Sequence, residues 1–150
     1  MSRAPLPLRQ RALRLLAARE HSRAELERKL GPHAEEPAEL ARLLDELQAA
    51  KQLSNTRYAE ARSTQLSRKF GSARIAQDLK AKGVSGDDAA EALATARASD
   101  LARARAVWNR KYGEPAATRE ERARQMRFLQ ARGFSFDIIR AVVSGAADEQ

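Results

Sequence analysis

The chain repeats itself, and that constrains its architecture more than any other feature. Leu79-Lys80-Ala81-Lys82-Gly83-Val84 returns 50 residues later as Leu129-Gln130-Ala131-Arg132-Gly133-Phe134, with Asp87 then matching Asp137. Arg68-Lys69-Phe70-Gly71 returns as Arg110-Lys111-Tyr112-Gly113. The first third has the same order more faintly: an Ala/Leu helix ending at Arg19-Glu20, a second ending at Leu30-Gly31, then a third. In 150 residues a period near fifty gives three units, 1–54, 55–99 and 100–150. Each is too small to bury much alone, so stacking in a row is the expected route to a continuous core.

The material of each unit is helical. Ala contributes 31 residues and Leu 17, whereas Val, Ile and Thr together number 11, too few for a sheet. Helix punctuation agrees across units. Ser22-Arg23-Ala24-Glu25 and Thr118-Arg119-Glu120-Glu121 fit the S/T-x-x-E capping box, each opening a second helix. Ser72 is expected to cap the matching helix of the middle unit and Asn55 the helix before it, with Ser85 and Ser135 capping the third helices. Gly31, Gly83 and Gly133 stand where second helices should stop in a left-handed residue. The expected helices are 8–20, 23–30, 38–52, 56–70, 73–82, 87–98, 100–112, 119–132 and 136–144. The fold class is therefore all-α, an elongated, curved array of three tandem three-helix repeats. Narrow stripes such as Leu26 with Leu30, Leu40 with Leu43, Leu44 and Leu47, and Ile75 with Leu79 mark the inner faces. Phe70, Trp108, Tyr112, Phe128 and Phe134 are the large side chains available to fill the junctions.

Charge alternates along the chain. The net charge is +8, yet residues 1–34, 57–82 and 101–133 carry +5, +5 and +6, while 35–56, 83–100 and 134–150 carry −3, −3 and −2. First and second helices are basic and third helices acidic in every unit, so units stacked in register would present one positive flank. Such a flank suits phosphates or carboxylates of a partner. Its candidate residues are Arg68, Lys69, Arg74, Lys80, Lys82, Arg110, Lys111, Arg124, Arg127 and Arg132. Phosphate contacts of this kind confer affinity without sequence readout.

Signals for catalysis are missing. Without Cys there is no disulfide, thiolate nucleophile or Cys-based zinc site. His21 and His33 lack the helical i, i+4 spacing of a metal pair, and no Gly-rich phosphate loop or nucleophile elbow occurs. Serines are accounted for by caps, and the paired acids Glu35-Glu36 and Asp87-Asp88 by helix macrodipoles. The reading is a binding protein, not an enzyme, with no cofactor and no metal. The stretch Met1-Ser2-Arg3-Ala4-Pro5-Leu6-Pro7 lacks the apolar run of a secretory leader, and no segment is apolar enough to cross a membrane, so a cytoplasmic monomer is expected.

These residues resemble the RecX regulatory proteins, bacterial modulators of the RecA recombinase, nearly end to end. The resemblance rests on Ala12-Leu13-Arg14-Leu15-Leu16-Ala17 followed by Arg19-Glu20-His21-Ser22-Arg23-Ala24-Glu25-Leu26, on Arg68-Lys69-Phe70-Gly71-Ser72-Ala73-Arg74-Ile75, and on Leu79-Lys80-Ala81-Lys82-Gly83-Val84. Arg110-Lys111-Tyr112-Gly113-Glu114-Pro115 and Arg127-Phe128-Leu129-Gln130-Ala131-Arg132-Gly133-Phe134 complete it. It implies an array of three-helix units lying in the groove of the RecA filament on DNA, limiting filament extension or promoting disassembly and so damping strand exchange, ATP hydrolysis and co-protease activity. The DNA phosphate backbone would be a weaker, non-specific partner. The chain departs from the family at Leu53-Ser54-Asn55-Thr56-Arg57-Tyr58, where relatives usually place two acids after the Leu. The resemblance brings no catalytic signature.

Two other readings compete. Helices at 73–98 superficially resemble a helix-turn-helix that reads DNA directly, although Asp87, Asp88 and Glu91 give its second helix the wrong sign for a major groove. A helical scaffold for another acidic protein is the third. For the fold itself, the stripes place Leu79 and Leu129 inside. Leu79→Ala or Leu129→Ala should each cost roughly 2–5 kcal/mol, read as a lowered denaturation midpoint by circular dichroism.

Overall fold

Helices start where a side chain or turn can meet their first unpaired amides. The computed structural model, which describes residues 5–148, places every helix start within one residue of an expected one, the start expected at residue 100 being absent. Residues 1–4, part of the stretch read as lacking a leader, and 149–150 lie outside the described residues. In chain order the helices are α1 (Leu8–Ala18), α2 (Arg23–Leu30), α3 (Pro37–Ala49), α4 (Asn55–Leu66), α5 (Ser72–Ala81), α6 (Asp87–Lys111), α7 (Arg119–Ala131) and α8 (Phe136–Asp148). A short 3-10 turn, Gly31–His33, follows α2. The described residues contain no strand.

The capping box at α2 is complete: the Glu25 amide donates to Ser22 Oγ and the Ser22 amide to the Glu25 carboxylate. At α7 the Glu121 amide donates to Thr118 Oγ1, while the Glu121 carboxylate accepts from the Ala117 amide, one residue outside the motif. Ser135 accepts from the Ile138 amide. The other three caps differ from expectation. Ser54, not Asn55, accepts at the start of α4; Gly71 precedes α5, leaving Ser72 inside it; and Gly86, not Ser85, precedes α6. Gly83 and Gly133 have the expected left-handed φ of 77° and 91°, whereas Gly31, at φ −47°, continues into the 3-10 turn with Pro32.

The largest difference lies at residue 99. Separate helices at 87–98 and 100–112 are replaced by one helix of 25 residues, so the second and third units share α6. Asp100, expected to open a separate helix, lies inside α6 and is buried. Its carboxylate accepts from the Ser72 amide at 3.0 Å and from the Ser72 hydroxyl, and so caps α5. Arg103, one turn on, pairs with Asp100 and donates to the carbonyls of Ser67, Ala96 and Phe70. Asn55 does the same work one unit earlier, its Oδ1 accepting from the Arg23 amide at the start of α2 at 2.9 Å. Asn55 and Asp100 open the second and third units as divided from the sequence. Each caps the second helix of the unit before it.

The expected continuous core is instead three cores. The first is leucine-rich: Leu26, Leu30, Leu40, Leu43, Leu44, Leu47 and Leu53. The second gathers Tyr58, Ile75, Leu79 and Val84 around Ala59, Ala89, Ala92 and Ala96, and the third Trp108, Leu129, Phe134, Ile139, Val142 and Val143. Leu79 and Leu129 are fully buried. Trp108 fills a core, not a junction, and its Nε1–H donates to the buried Gln125 at 3.0 Å. Phe70, Tyr112 and Phe128 are half-buried. The accessible surface, 9848 Å², exceeds the roughly 7,600 Å² of a compact monomer of 16.6 kDa, as an extended array requires.

Asp100→Ala would leave Arg103 charged in a largely buried site and the first amide of α5 unmet. The expected loss is about 3–5 kcal/mol, measured by urea denaturation. Asp100→Asn, which can still accept from the Ser72 amide, should lose less.

Candidate functional site

Second helices meet end to end. At the first junction the N-terminus of α2 abuts the C-terminus of α5: Ser22 Oγ–H donates to the Lys82 carbonyl at 2.7 Å, and a Cβ on Gly83 would lie 2.6 Å from that of Ala24. At the second the N-terminus of α5 abuts the C-terminus of α7: the Gly71 amide donates to the Arg132 carbonyl at 2.7 Å, and Arg74 Nη1 to the Ala131 carbonyl at 2.9 Å. A Cβ on Gly71 would come within 2.4 Å of the Gly133 oxygen. Both junctions thus join positive and negative ends of helix dipoles, which is favourable.

Their charges are handled oppositely. At the first junction the arginines are matched by acids: Arg19 with Glu25 at 2.8 Å, Arg57 with Glu20 at 2.9 Å and Arg62 with Asp78 at 2.9 Å. They line or border a mixed-sign hollow of about 310 Å³ that also holds Tyr58 and Lys82. Burial alone would raise the Glu25 carboxyl, but the fork of Arg19 and the Ser22 amide hold it at about 2. His21 is buried beside it, its ring nitrogens 3.0 Å from the Arg19 carbonyl and 3.0 Å from Lys29 Nζ, and burial lowers its pKa.

At the second junction cations meet aromatic rings. The Arg74 guanidinium lies 4.2 Å from the Phe70 centroid, Arg132 lies 5.8 Å from Phe70 and 5.0 Å from Phe128, and Lys111 lies 5.6 Å from Phe128. Tyr112 meets Phe128 edge-on at 5.6 Å. Arg132 also donates to the Lys69 carbonyl and Arg110 to the Arg68 carbonyl, so the two copies of the repeated tetrapeptide touch. Among the described residues none of these cations has a carboxylate within 4.0 Å; the seven ion pairs lie elsewhere. The result is a positively charged seam whose guanidiniums are oriented by rings and carbonyls.

Of the ten sequence candidates, Arg74, Arg110, Lys111 and Arg132 bring their side chains together there, while Arg68 and Lys69 enter through their carbonyls and keep their side chains exposed. Arg124 is one turn before Phe128 on α7 and Arg127 adjoins it, both exposed. Lys80 and Lys82 are set apart at the other end of α5, by the first junction. Phe70 and Phe128 act as supports for the cations, a role that the sequence reading, which gave them only as junction fillers, did not assign. The Asp100–Arg103 pair behind the seam left no comparable trace. Among the described residues no group of His, Cys, Asp and Glu could hold a metal, and no helix is long and apolar enough to cross a membrane.

Comparison with known proteins matches the chain to three family models: the first three-helix domain of RecX over residues 9–47, the second over 54–93 and the third over 98–143. A regulatory protein RecX of Leptothrix cholodnii is 49% identical over 148 residues, covering 99% of this chain and 94% of that protein. One from Ralstonia nicotianae is 47% identical, covering 97% and 92%. Among solved structures, RecX from Lactobacillus salivarius superposes with a TM-score of 0.81 at 20% identity, covering 93% of this chain and 94% of that one, a likeness of fold.

Acid should weaken the first junction. Glu25 sits at about 2 in the folded chain against an ordinary 4.5, so its contribution is complete above pH 4.5 and lost as pH falls toward 2. His21, lowered below 6.5, contributes above that pH and loses its contribution as acid protonates it. Urea midpoints followed from neutral pH downward should therefore fall. In Glu25→Gln the midpoint should start lower and flatten below pH 4.5.

Proposed function

The chain belongs to the RecX family of regulatory proteins, and on that premise we propose that it binds RecA filaments assembled on DNA and restrains them. It lowers strand exchange, ATP hydrolysis and co-protease activity by limiting filament extension or promoting disassembly. It works as a cytoplasmic monomer, by binding and not by catalysis. The observation that carries the site assignment is the seam between the second and third units, where Arg74, Lys111 and Arg132 lie against Phe70 and Phe128, Arg110 reaches the Arg68 carbonyl, and none of these cations forms an ion pair among the described residues. Such a surface attracts polyanions at long range and releases counterions on binding, which suits DNA phosphates or acidic filament surface. Arg124 and Arg127 extend it along α7. Lys80 and Lys82 take a smaller part. Three units, each about two helix diameters wide, span roughly 60 Å, enough to bridge several protomers. The direct helix-turn-helix reading is disfavoured by α6: its acidic first half packs on the second core and runs without a break into the third unit.

The test mixes the protein with RecA, single-stranded DNA and ATP. Substoichiometric protein should suppress ATP hydrolysis, less so as salt rises. Arg74 anchors the junction through the Ala131 carbonyl, so charge reversal is better placed at Lys69→Glu, Arg124→Glu and Arg127→Glu, whose side chains are exposed. This triple variant should keep its helicity and lose most of the suppression. Wild-type suppression by the variant would refute the seam assignment. Sequence-specific duplex binding without RecA would favour the direct DNA reading.

A further inference from the structure

The first unit carries a second positive surface, unrelated to the seam. Between α1 and the corner where α2 passes into the 3-10 turn lies a hollow of about 280 Å³. Its apolar lining is Leu6 and Leu15, half-buried, over the buried Leu30, and its rim is Arg11, Arg14, Lys29 and His33; no carboxylate lines it. Among the described residues none of the four rim groups forms an ion pair, and the pairs of this unit, Arg9–Glu46, Arg19–Glu25 and Arg23 with Glu27 and Asp45, involve other cations. Arg11 donates through Nε to the Leu6 carbonyl and Lys29 lies 3.0 Å from His21 Nε2; Arg14 and His33 are exposed.

The two positive surfaces suit different ligands. In the seam, cations lie against the rings, so it presents charge without an open apolar floor. In the first unit Leu6 and Leu15 stand partly open between the basic groups, above the buried Leu30. A phosphate backbone would use the rim and leave the floor unused. A peptide with a large apolar side chain between acidic residues would use both. The volume lies below the roughly 300–1,000 Å³ of drug-sized ligand sites and suits a single side chain. From this charge complementarity and the apolar floor we propose that the hollow docks an acidic segment of a protein partner. One large apolar side chain seats on Leu6 and Leu15, and flanking carboxylates meet Arg11, Arg14, Lys29 and His33. The proposal does not depend on how the seam binds filaments.

The probe is a fluorescein-labelled synthetic peptide with a central Phe flanked by Asp and Glu, followed by anisotropy against the full chain. A twin with Ser in place of Phe should bind on the order of tenfold more weakly, and so should the original peptide to an Arg14→Glu, His33→Glu variant. The seam variant at Lys69, Arg124 and Arg127 should bind the peptide as wild type does. Equal affinity for both peptides, equal loss in the seam variant, or no binding at all would each overturn the proposal, the first two by reducing the effect to net charge. Amide shifts in wild-type protein supply a readout that needs no variant: they should cluster at residues 11–15 and 29–33, and a cluster anywhere else would overturn it.

Discussion

Helix ends, not apolar faces, decide how the three units sit together. Every helix leaves amides unmet at its start and carbonyls unmet at its finish. Here those of the second helices are satisfied across unit boundaries. The amides opening α2 and α5 find Asn55 and Asp100, the residues that begin the next unit, while the last carbonyls of α5 and α7 accept from Ser22, Gly71 and Arg74 of the unit before. Polar groups have strict geometry, so a few such bonds fix an orientation that a slippery apolar contact would leave free. Three cores of modest size can then stay separate without the array losing its register.

The two junctions nevertheless differ in stiffness. Units two and three share α6 without a break, and the buried Asp100–Arg103 pair ties that helix to the start of α5 and to the carbonyls of Ser67 and Phe70. Units one and two are joined by a turn after α3, with Lys51 at a φ of 61°, by the bonds of Ser22 and Asn55, and by a part-exposed ion pair, Arg57–Glu20, that solvent weakens. The more rigid junction is the one that carries the unpaired cations. A binding surface whose charges must keep a fixed spacing gains from that placement, because less freedom is lost when a partner arrives.

What the sequence revealed follows from whether a signal is local. Gly83, Gly133, Ser22, Thr118 and Ser135 act within one turn of where they stand, and each behaves as its spacing predicted. The break expected at residue 99 is absent, and Asp100 instead caps a helix that begins 28 residues earlier. Asn55 likewise caps α2 instead of α4. The departure at Ser54-Asn55 from the two acids usual in relatives also becomes intelligible. Asn55 offers an oxygen to the Arg23 amide without bringing a charge, whereas Asp100 brings a charge and has Arg103 close enough to balance it. The grouping of Arg68, Lys69, Arg110 and Lys111 was legible only as a repeat. That the copies touch depends on the path of α6, which no local pattern records.

The charge alternation takes a different form in space from the one its regularity suggests. In the first unit the acidic third helix neutralises its basic neighbours, Glu46 meeting Arg9 and Asp45 meeting Arg23 across the bundle. In the third unit α8 offers few acids, and Arg122 of α7 finds the Ser144 hydroxyl instead of a carboxylate. Positive charge therefore survives where the second unit meets the third and is largely cancelled where the first meets the second. A uniformly positive flank would hold a polyanion equally well in any register along the array. Clustering cations against aromatic rings at one junction would select a register, and with the leucine-floored hollow proposed at the other end of the molecule the array would have two chemically distinct points of attachment instead of one repeated three times.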